Sequence, residues 1–284
     1  MRISLLLLLL FSWPLSATQV ITHVLPETAD DSRARYPLAL LKLALDHNGV
    51  DYRLQGSEGM PQSRALKLLA LGQGVDVVWT MTSPEREAAL RPIRIPIHKG
   101  LIGWRVLLIR SSDAGRFSTA GSDSLKLMIG GQGHDWPDRD ILDSNGFAIT
   151  PSPSYGGLFE MLASGRIDYF PRSVIEVVDE LHAHGNKGLM IEPSLMLWYP
   201  TAMYYFVHPD NDQLAGLIER GLEAAIADGS FDRLFTQTHA PLLKALAVNQ
   251  RRVIRLTNPL LPDATPLART ALWYPLPHQG DGGP

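Results

Sequence analysis

Arg86 ends a run, Thr80-Met81-Thr82-Ser83-Pro84-Glu85-Arg86, that grows out of the apolar, β-branched stretch Val75 to Thr80. A buried strand that ends in hydroxyls and runs into a loop with an arginine lies where open α/β sheets place ligands, beyond the carboxyl ends of their strands. The chemistry on offer is recognition. A guanidinium can fork onto a carboxylate through two parallel hydrogen bonds. The plainer alternative, that Pro84 opens a helix and Arg86 is a solvated surface charge, stays open on these residues alone.

Signatures of catalysis are incomplete elsewhere. Gly130-Gly131-Gln132-Gly133 continues into His134-Asp135-Trp136 and so lacks the third glycine of a dinucleotide fingerprint. Ser154-Tyr155-Gly156 lacks the preceding glycine of a nucleophile elbow. His182 and His184 fall where a helix ends at Gly185, a place that suits the helix dipole better than a metal. An acid–base reaction would have to draw on Glu160, Glu176, Asp135 or His134, and no pair of them is spaced for it. Tyr36, Trp104, Trp136 and Tyr155 fall near strand ends or loops, where rings can stack on a solute. Trp198, Tyr199, Tyr204 and Tyr205 are expected to pack where the two halves of the chain meet.

The elements that must position these groups alternate. Val20 to Leu25, Val50 to Leu54 and Val75 to Thr80 read as strands, separated by helices over Tyr36 to Leu45 and Gln62 to Leu71. Strand, helix, strand in short succession argues for a largely parallel sheet covered on both faces. An extended stretch, Ile93 to Ile109, is expected to leave one sheet and enter another, and the polar segment Ser111 to Ser124 to separate the halves. The alternation then restarts, with strands at Leu125 to Ile129, Phe147 to Thr150 and Ile167 to Phe170 and helices at Asp138 to Ser144, Gly157 to Ser164 and Val174 to His182. Leu189 to Ile191, Ala202 to Val207 and Val253 to Thr257 complete the strands. Gln213 to Ala227 is an amphipathic helix that Phe231 to Thr238 is expected to continue.

Composition sets the compartment. Arg2, an apolar run from Leu5 to Phe11, the Trp13-Pro14 break and the small residues Ser16 and Ala17 match the three regions of a secretory signal, so residues 1–17 are expected to be removed. The apolar run is too short to span a bilayer, which takes about 20 residues. With no cysteine there is neither a lipid-anchor thiol nor a disulfide. A net charge of −3 with scattered lysine and arginine offers no basic stripe for nucleic acid.

Taken in order, these pieces resemble family 3, the amino-acid-type periplasmic solute-binding proteins of ABC importers. Asp76 to Arg86 is similar to that family's strand ending in Ser/Thr, proline, an acid and arginine. Gly103 to Ile109 resembles its crossover strand, Gly131 to Trp136 the loop opening its second lobe, and Leu162-Ala163-Ser164-Gly165-Arg166-Ile167-Asp168 its helix-to-strand turn. Tyr199 to Val207 fits its return segment. The resemblance covers nearly the whole mature chain. It implies an α/β, type 2 periplasmic-binding-protein fold: two α/β lobes joined by two crossover strands, with lobe 1 from 18–106 and 200–258, lobe 2 from 107–199, and a Pro-rich tail at 259–284.

The resemblance also implies roles. Arg86 would grip an α-carboxylate, with hydroxyls from Thr80 and Thr82 beside it. His134 and Asp135 stand where the family often has a Gly-Thr pair at a helix N-terminus. Where the family usually places an aspartate for the α-amino group, this chain has Pro171-Arg172-Ser173. Arg172 is therefore expected as a second cation facing Arg86, favouring an anionic solute, with Glu176 as the nearest substitute for the aspartate. The expected ligand set is Arg86, Thr80, Thr82, Tyr36, His134, Asp135, Trp136, Tyr155 and Arg172. The expectation is a monomer that binds a small-molecule solute in the periplasm and presents it to an inner-membrane ABC permease, without turnover, cofactor or metal. A dehydratase-like periplasmic enzyme of the same fold and a ligand-sensing receptor are the alternatives.

Overall fold

Amphipathic spacing turns into packed helices wherever it occurs in the first half of the chain. The structure, a computed structural model, describes residues 18–25, 32–184 and 187–276. The expected signal segment, 1–17, and the end of the expected tail, 277–284, lie outside these residues. β1 (Gln19–Leu25) leads to α1 (Arg35–Asp46), which buries Tyr36, Leu40, Leu41, Ala44 and Leu45 on one face. Gly49, at φ +61°, follows where the left-handed region is needed to turn the chain back. β2 (Tyr52–Gly59), α2 (Gln62–Ala70) and β3 (Val77–Met81) follow, and α3 (Pro84–Ala89) opens with proline in its first turn while the Ser83 hydroxyl accepts the Arg86 amide.

β4 (Arg91–Ile93) ends the first lobe, and 94–103 cross to the second. There β5 (Trp104–Arg110), α4 (Ala114–Phe117), α5 (Ser122–Lys126), β6 (Ile129–Gly133), α6 (Pro137–Ser144), β7 (Ala148–Ser152), α7 (Tyr155–Ala163), β8 (Tyr169–Ser173), α8 (Val177–His184), β9 (Leu189–Ile191) and β10 (Leu195–Trp198) succeed one another. Residues 199–202 return to the first lobe for β11 (Met203–Val207), α9 (Asp212–Ala227) and α10 (Ser230–Ala245), before β12 (Arg252–Arg255).

The first sheet has the order β2-β1-β3-β11-β4 and the second β12-β10-β5-β8-β6-β7, with β9 also paired to β5. Neither is largely parallel. β1 runs parallel to β2 and β3, and β6 to β7 and β8, as helical crossovers require. β11 runs antiparallel to β3 and β4, and β5 antiparallel to β8, β9 and β10. These antiparallel pairs arise because a strand that arrives from the other lobe needs no helix to reverse it.

Four expected stretches behave differently. Ser111 to Ser124 does not separate the halves; it holds Phe117 and Ala120 in the second lobe's core. Residues 122–126 are helical and the strand begins only at Ile129. α10 is not a continuation of α9, because Gly229, at φ +74°, breaks the axis between them. β12 pairs with β10, so residues 252–255 sit in the second sheet rather than closing the first lobe as the expected span 200–258 has it. The chain then returns: Tyr274 donates its amide to the Lys99 carbonyl, and Arg269 forks onto Glu223.

The two crossings are tied where they pass. The Tyr199 amide donates to the Gly103 carbonyl at 3.2 Å, and a Cβ at Gly103 would strike the Tyr199 carbonyl oxygen. One apolar cluster runs from Leu40 and Ile218 through Ile97, Leu101 and Trp104 to Leu158 and Phe170. The lobes therefore share a core at the hinge and face each other beyond it. Trp104, a candidate for stacking on solute, is part of this core, edge-on to Tyr274.

Candidate functional site

Between the lobes lies a cleft of about 570 Å³, within the roughly 300–1,000 Å³ common for small-molecule sites. Tyr36, Gln62 and Trp79 line it from the first lobe, and His134, Asp135, Trp136, Tyr155 and Glu176 from the second. A smaller cavity of about 60 Å³ shares Arg33, Gln62, Trp136, Glu176 and Met203 with it and is walled by Thr80, Arg86 and Arg172.

Arg86 is aimed at that cavity by its own lobe. Its Nη1 donates to the Thr80 hydroxyl at 2.8 Å and to the Met81 carbonyl at 2.7 Å, and its Nη2 to Gln62 Oε1 at 2.9 Å. The same Nη2 donates across the cleft to the Asp135 carbonyl at 3.2 Å. The surface-charge alternative therefore does not hold: burial draws the guanidinium pKa down, while Asp135, Asp138 and Glu85 pull it back. Thr82 takes no part in this. β3 ends at Met81, so the alternation that would put Thr80 and Thr82 on one face is lost. The Thr82 hydroxyl donates to Glu87 instead, at 2.5 Å, and lines neither cavity.

On the opposite wall, Arg172 is not a free cation. It is 2% exposed; its Nε donates to Glu180 Oε2 at 2.7 Å, its Nη2 bonds Glu180 Oε1, and the same Nη2 lies 3.0 Å from Glu176. Arg105, equally buried, pairs with Asp138 and donates from Nε to the Tyr199 hydroxyl at 3.0 Å. Three carboxylates, Asp138, Glu176 and Glu180, thus surround two guanidiniums, and the expected repulsion of an ammonium disappears. Burial pushes the Glu180 carboxyl up, but Arg172 outweighs it and leaves the group below its usual range. Glu176 Oε2 is buried within ion-pair range of Arg172 yet makes no hydrogen bond, and Glu176 lines both cavities.

The aromatic candidates divide. Trp136 stacks on Phe170 with Arg172 on its ring at 4.8 Å, and Tyr155 donates to Glu180 at 2.9 Å beneath Arg33, whose guanidinium lies 4.6 Å from its ring. Gly133 must be glycine, since a Cβ there would meet the Trp136 ring at 2.5 Å. Tyr199, Tyr204 and Tyr205 are fully buried. The helix N-terminus beyond His134 and Asp135 offers less than expected: the His134 amide already donates to Ser152, and the Trp136 amide to Gly133. Glu160, an acid–base candidate, pairs with Lys187 on the exposed face of α7 and lines neither cavity.

Sequence reasoning missed Gln62, Arg33, Arg105, Glu180 and the histidines His98 and His239. A charge such as Arg105 inside the otherwise apolar run Trp104 to Ile109 was the available signal, because a buried guanidinium requires partners. Burial lowers the pKa of His98 well below the imidazole norm, with His239 adding to it, and burial takes His239 down to about 4. Both rings are neutral in the fold, whereas the unfolded chain takes up protons near pH 6.5. Their contribution is therefore present above pH 6.5 and lost as pH falls toward 4. From His239 alone, stability should drop by about 2 kcal/mol between pH 7 and pH 5. Urea denaturation at the two pH values checks this, and equal free energies would contradict it.

No protein-family model and no curated protein matches the sequence. Solved structures do match. An ancestral arginine-binding protein bound to arginine superposes with a TM-score of 0.59 at 16% identity, over 79% of this chain and 99% of its own. A periplasmic binding protein of Salmonella typhimurium with high arginine specificity gives 0.59 at 15% identity, over 78% and 99%. A histidine kinase sensor domain similar to periplasmic binding proteins gives 0.57 at 16% identity, over 78% and 96%. The chain has the two-lobed fold of amino-acid-binding periplasmic proteins, as its sequence resembles.

Proposed function

We propose that the protein captures a small α-amino acid or a related carboxylate between its lobes, outside the inner membrane, and presents it to an ABC-type importer. The observation that carries this reading is the pairing of opposite charges at one small cavity: Arg86 from the first lobe and Glu176 from the second. A carboxylate would compete with the Asp135 carbonyl for Arg86 Nη2, and an ammonium would give Glu176 Oε2 the donor it lacks. A zwitterion supplies both at once. The structural relatives named for arginine binding favour the same solute class. Ligand set and role assignments follow: Arg86 with Thr80 and Gln62 for the carboxylate, Glu176 for the amino group, and Trp136, Tyr155 and Tyr36 for the walls. The reaction is binding without turnover.

The expected signal at residues 1–17 supports a place outside the inner membrane, and no helix among the described residues is long and apolar enough to cross a membrane. The likeness to a sensor domain favours a second reading, in which the closed form signals to a membrane receptor. Uptake of the solute by cells with and without the protein separates the two.

A thermal-shift screen of the mature protein against the standard amino acids and small dicarboxylates tests the capture itself. A solute at a hundred times its dissociation constant should add about 2.7 kcal/mol to stability, which is a rise of several degrees for a chain of this size. A flat response to every α-amino acid and carboxylate would overturn the reading.

A further inference from the structure

A second group of polar side chains faces the cleft away from Arg86. Tyr36 on α1, His98 in the crossing 94–103 and His239 on α10 all line the cleft, and none of them walls the small cavity at Arg86. Their rings are mutually packed, with centroids 4.7 Å apart for Tyr36 and His98, 4.5 Å for Tyr36 and His239, and 5.2 Å for the two histidines. All three are at least 95% buried.

Within the group, hydrogen bonding is incomplete. His98 Nδ1 and His239 Nε2 lie 3.1 Å apart, so one ring donates to the other. The Tyr36 hydroxyl and His239 Nδ1 are both buried and have no partner. Buried polar groups are almost always satisfied. Two orphans on rings packed 4.5 Å apart, both on the cleft wall, mark a place where something else supplies the bonds.

The character of that group follows from charge and tautomer. The ionised group that acts on Tyr36, Asp232, is paired with Lys99 at 2.5 Å, which offsets its charge. Both imidazoles are neutral. If His98 donates to His239, then His239 Nδ1 carries the remaining proton and is a donor; if the direction reverses, it is an acceptor. With the Tyr36 hydroxyl beside it, the pair can offer one donor and one acceptor together. A carboxamide or a hydroxyl answers both, whereas an ion would be desolvated here with no opposite charge to meet it.

Building on the capture of an amino acid proposed above, we infer that Tyr36, His98 and His239 form a specificity subsite for an uncharged hydrogen-bonding group at the far end of the solute's side chain. Trp79 and Met203, which also line the cleft, supply apolar surface for the part of the side chain between the two polar ends.

Isothermal titration with two near-isosteric pairs, L-glutamine against L-methionine and L-tyrosine against L-phenylalanine, tests this. A site built to bond a polar group rejects the analogue that leaves its own groups unpaired. The polar member of at least one pair should bind tenfold or more tighter, and in His239→Phe that ratio should fall toward one. Tyr36→Phe, which removes a single unpartnered oxygen from the fold, should shrink the same ratio, and far-UV circular dichroism confirms that each variant is folded. Equal affinities within both pairs, or a loss in His239→Phe and Tyr36→Phe that is the same for polar and apolar members, would overturn the subsite while leaving amino-acid capture intact. Failure of all four to bind would overturn the subsite, and only a flat response to every α-amino acid and carboxylate would overturn the capture as well.

Discussion

Arg86→Ala should weaken the captured carboxylate by roughly thirtyfold to several thousandfold. Truncating one partner of a buried, hydrogen-bonded charge pair costs about 2–5 kcal/mol, and each 1.4 kcal/mol is about a factor of ten in dissociation constant. Arg86 meets the conditions for the upper part of that range. Its guanidinium is held at Nη1 by Thr80 and Met81 and at Nη2 by Gln62, so it is already oriented, and burial strengthens every bond it makes. Arg86→Lys keeps the charge but not the fork, and should recover only part of the loss. The same contacts mean that the melting point also falls in Arg86→Ala, since Thr80 and Gln62 lose a partner. Titration calorimetry separates the effects. An affinity unchanged in Arg86→Ala would remove Arg86 from the site and return it to a structural role.

Arg172→Met should be the most destabilising change in the second lobe. It leaves Glu180 buried with Tyr155 as a donor but without the cation it pairs with. Breaking a buried pair from one side costs about 3–5 kcal/mol, which corresponds to a drop of roughly 6–20 °C in melting temperature. The double variant Arg172→Met/Glu180→Leu should regain much of this, because replacing a whole buried pair by apolar groups is often near neutral. Acid should act in the same direction in the parent protein. Glu180 is held below its usual pKa, so its contribution is present above about pH 4.5 and disappears as pH falls further. A single variant that melts with the parent would show that the network stores no stability.

Much of the frame was legible in the sequence. The succession of β1, α1, β2, α2 and β3 is written in apolar spacing, and so is the position of Arg86 just beyond a buried strand. What escaped depends on partners far apart in the chain. Arg172 reads as a bare cation because the carboxylates that neutralise it lie on the following turn and on α8, whose facing no periodicity fixes. Thr82 reads as a twin of Thr80 because two-residue alternation holds only while the strand lasts, and β3 stops one residue earlier. β12 reads as the end of the first lobe because sequence proximity to α10 hides its pairing with β10. Tyr36 reads as a candidate from its expected place near a strand end or loop, whereas His98 and His239 do not stand out. They meet only because the crossing segment and α10 pack side by side.

The account turns on where a solute's carboxylate sits, and a crystal structure of the protein with the strongest hit from the solute screen locates it directly. The account predicts the carboxylate within hydrogen-bond distance of Arg86 Nη2, in place of the Asp135 carbonyl that now accepts there at 3.2 Å, with the amino group on Glu176. A solute bound elsewhere, with the bond from Arg86 to Asp135 intact, would contradict it.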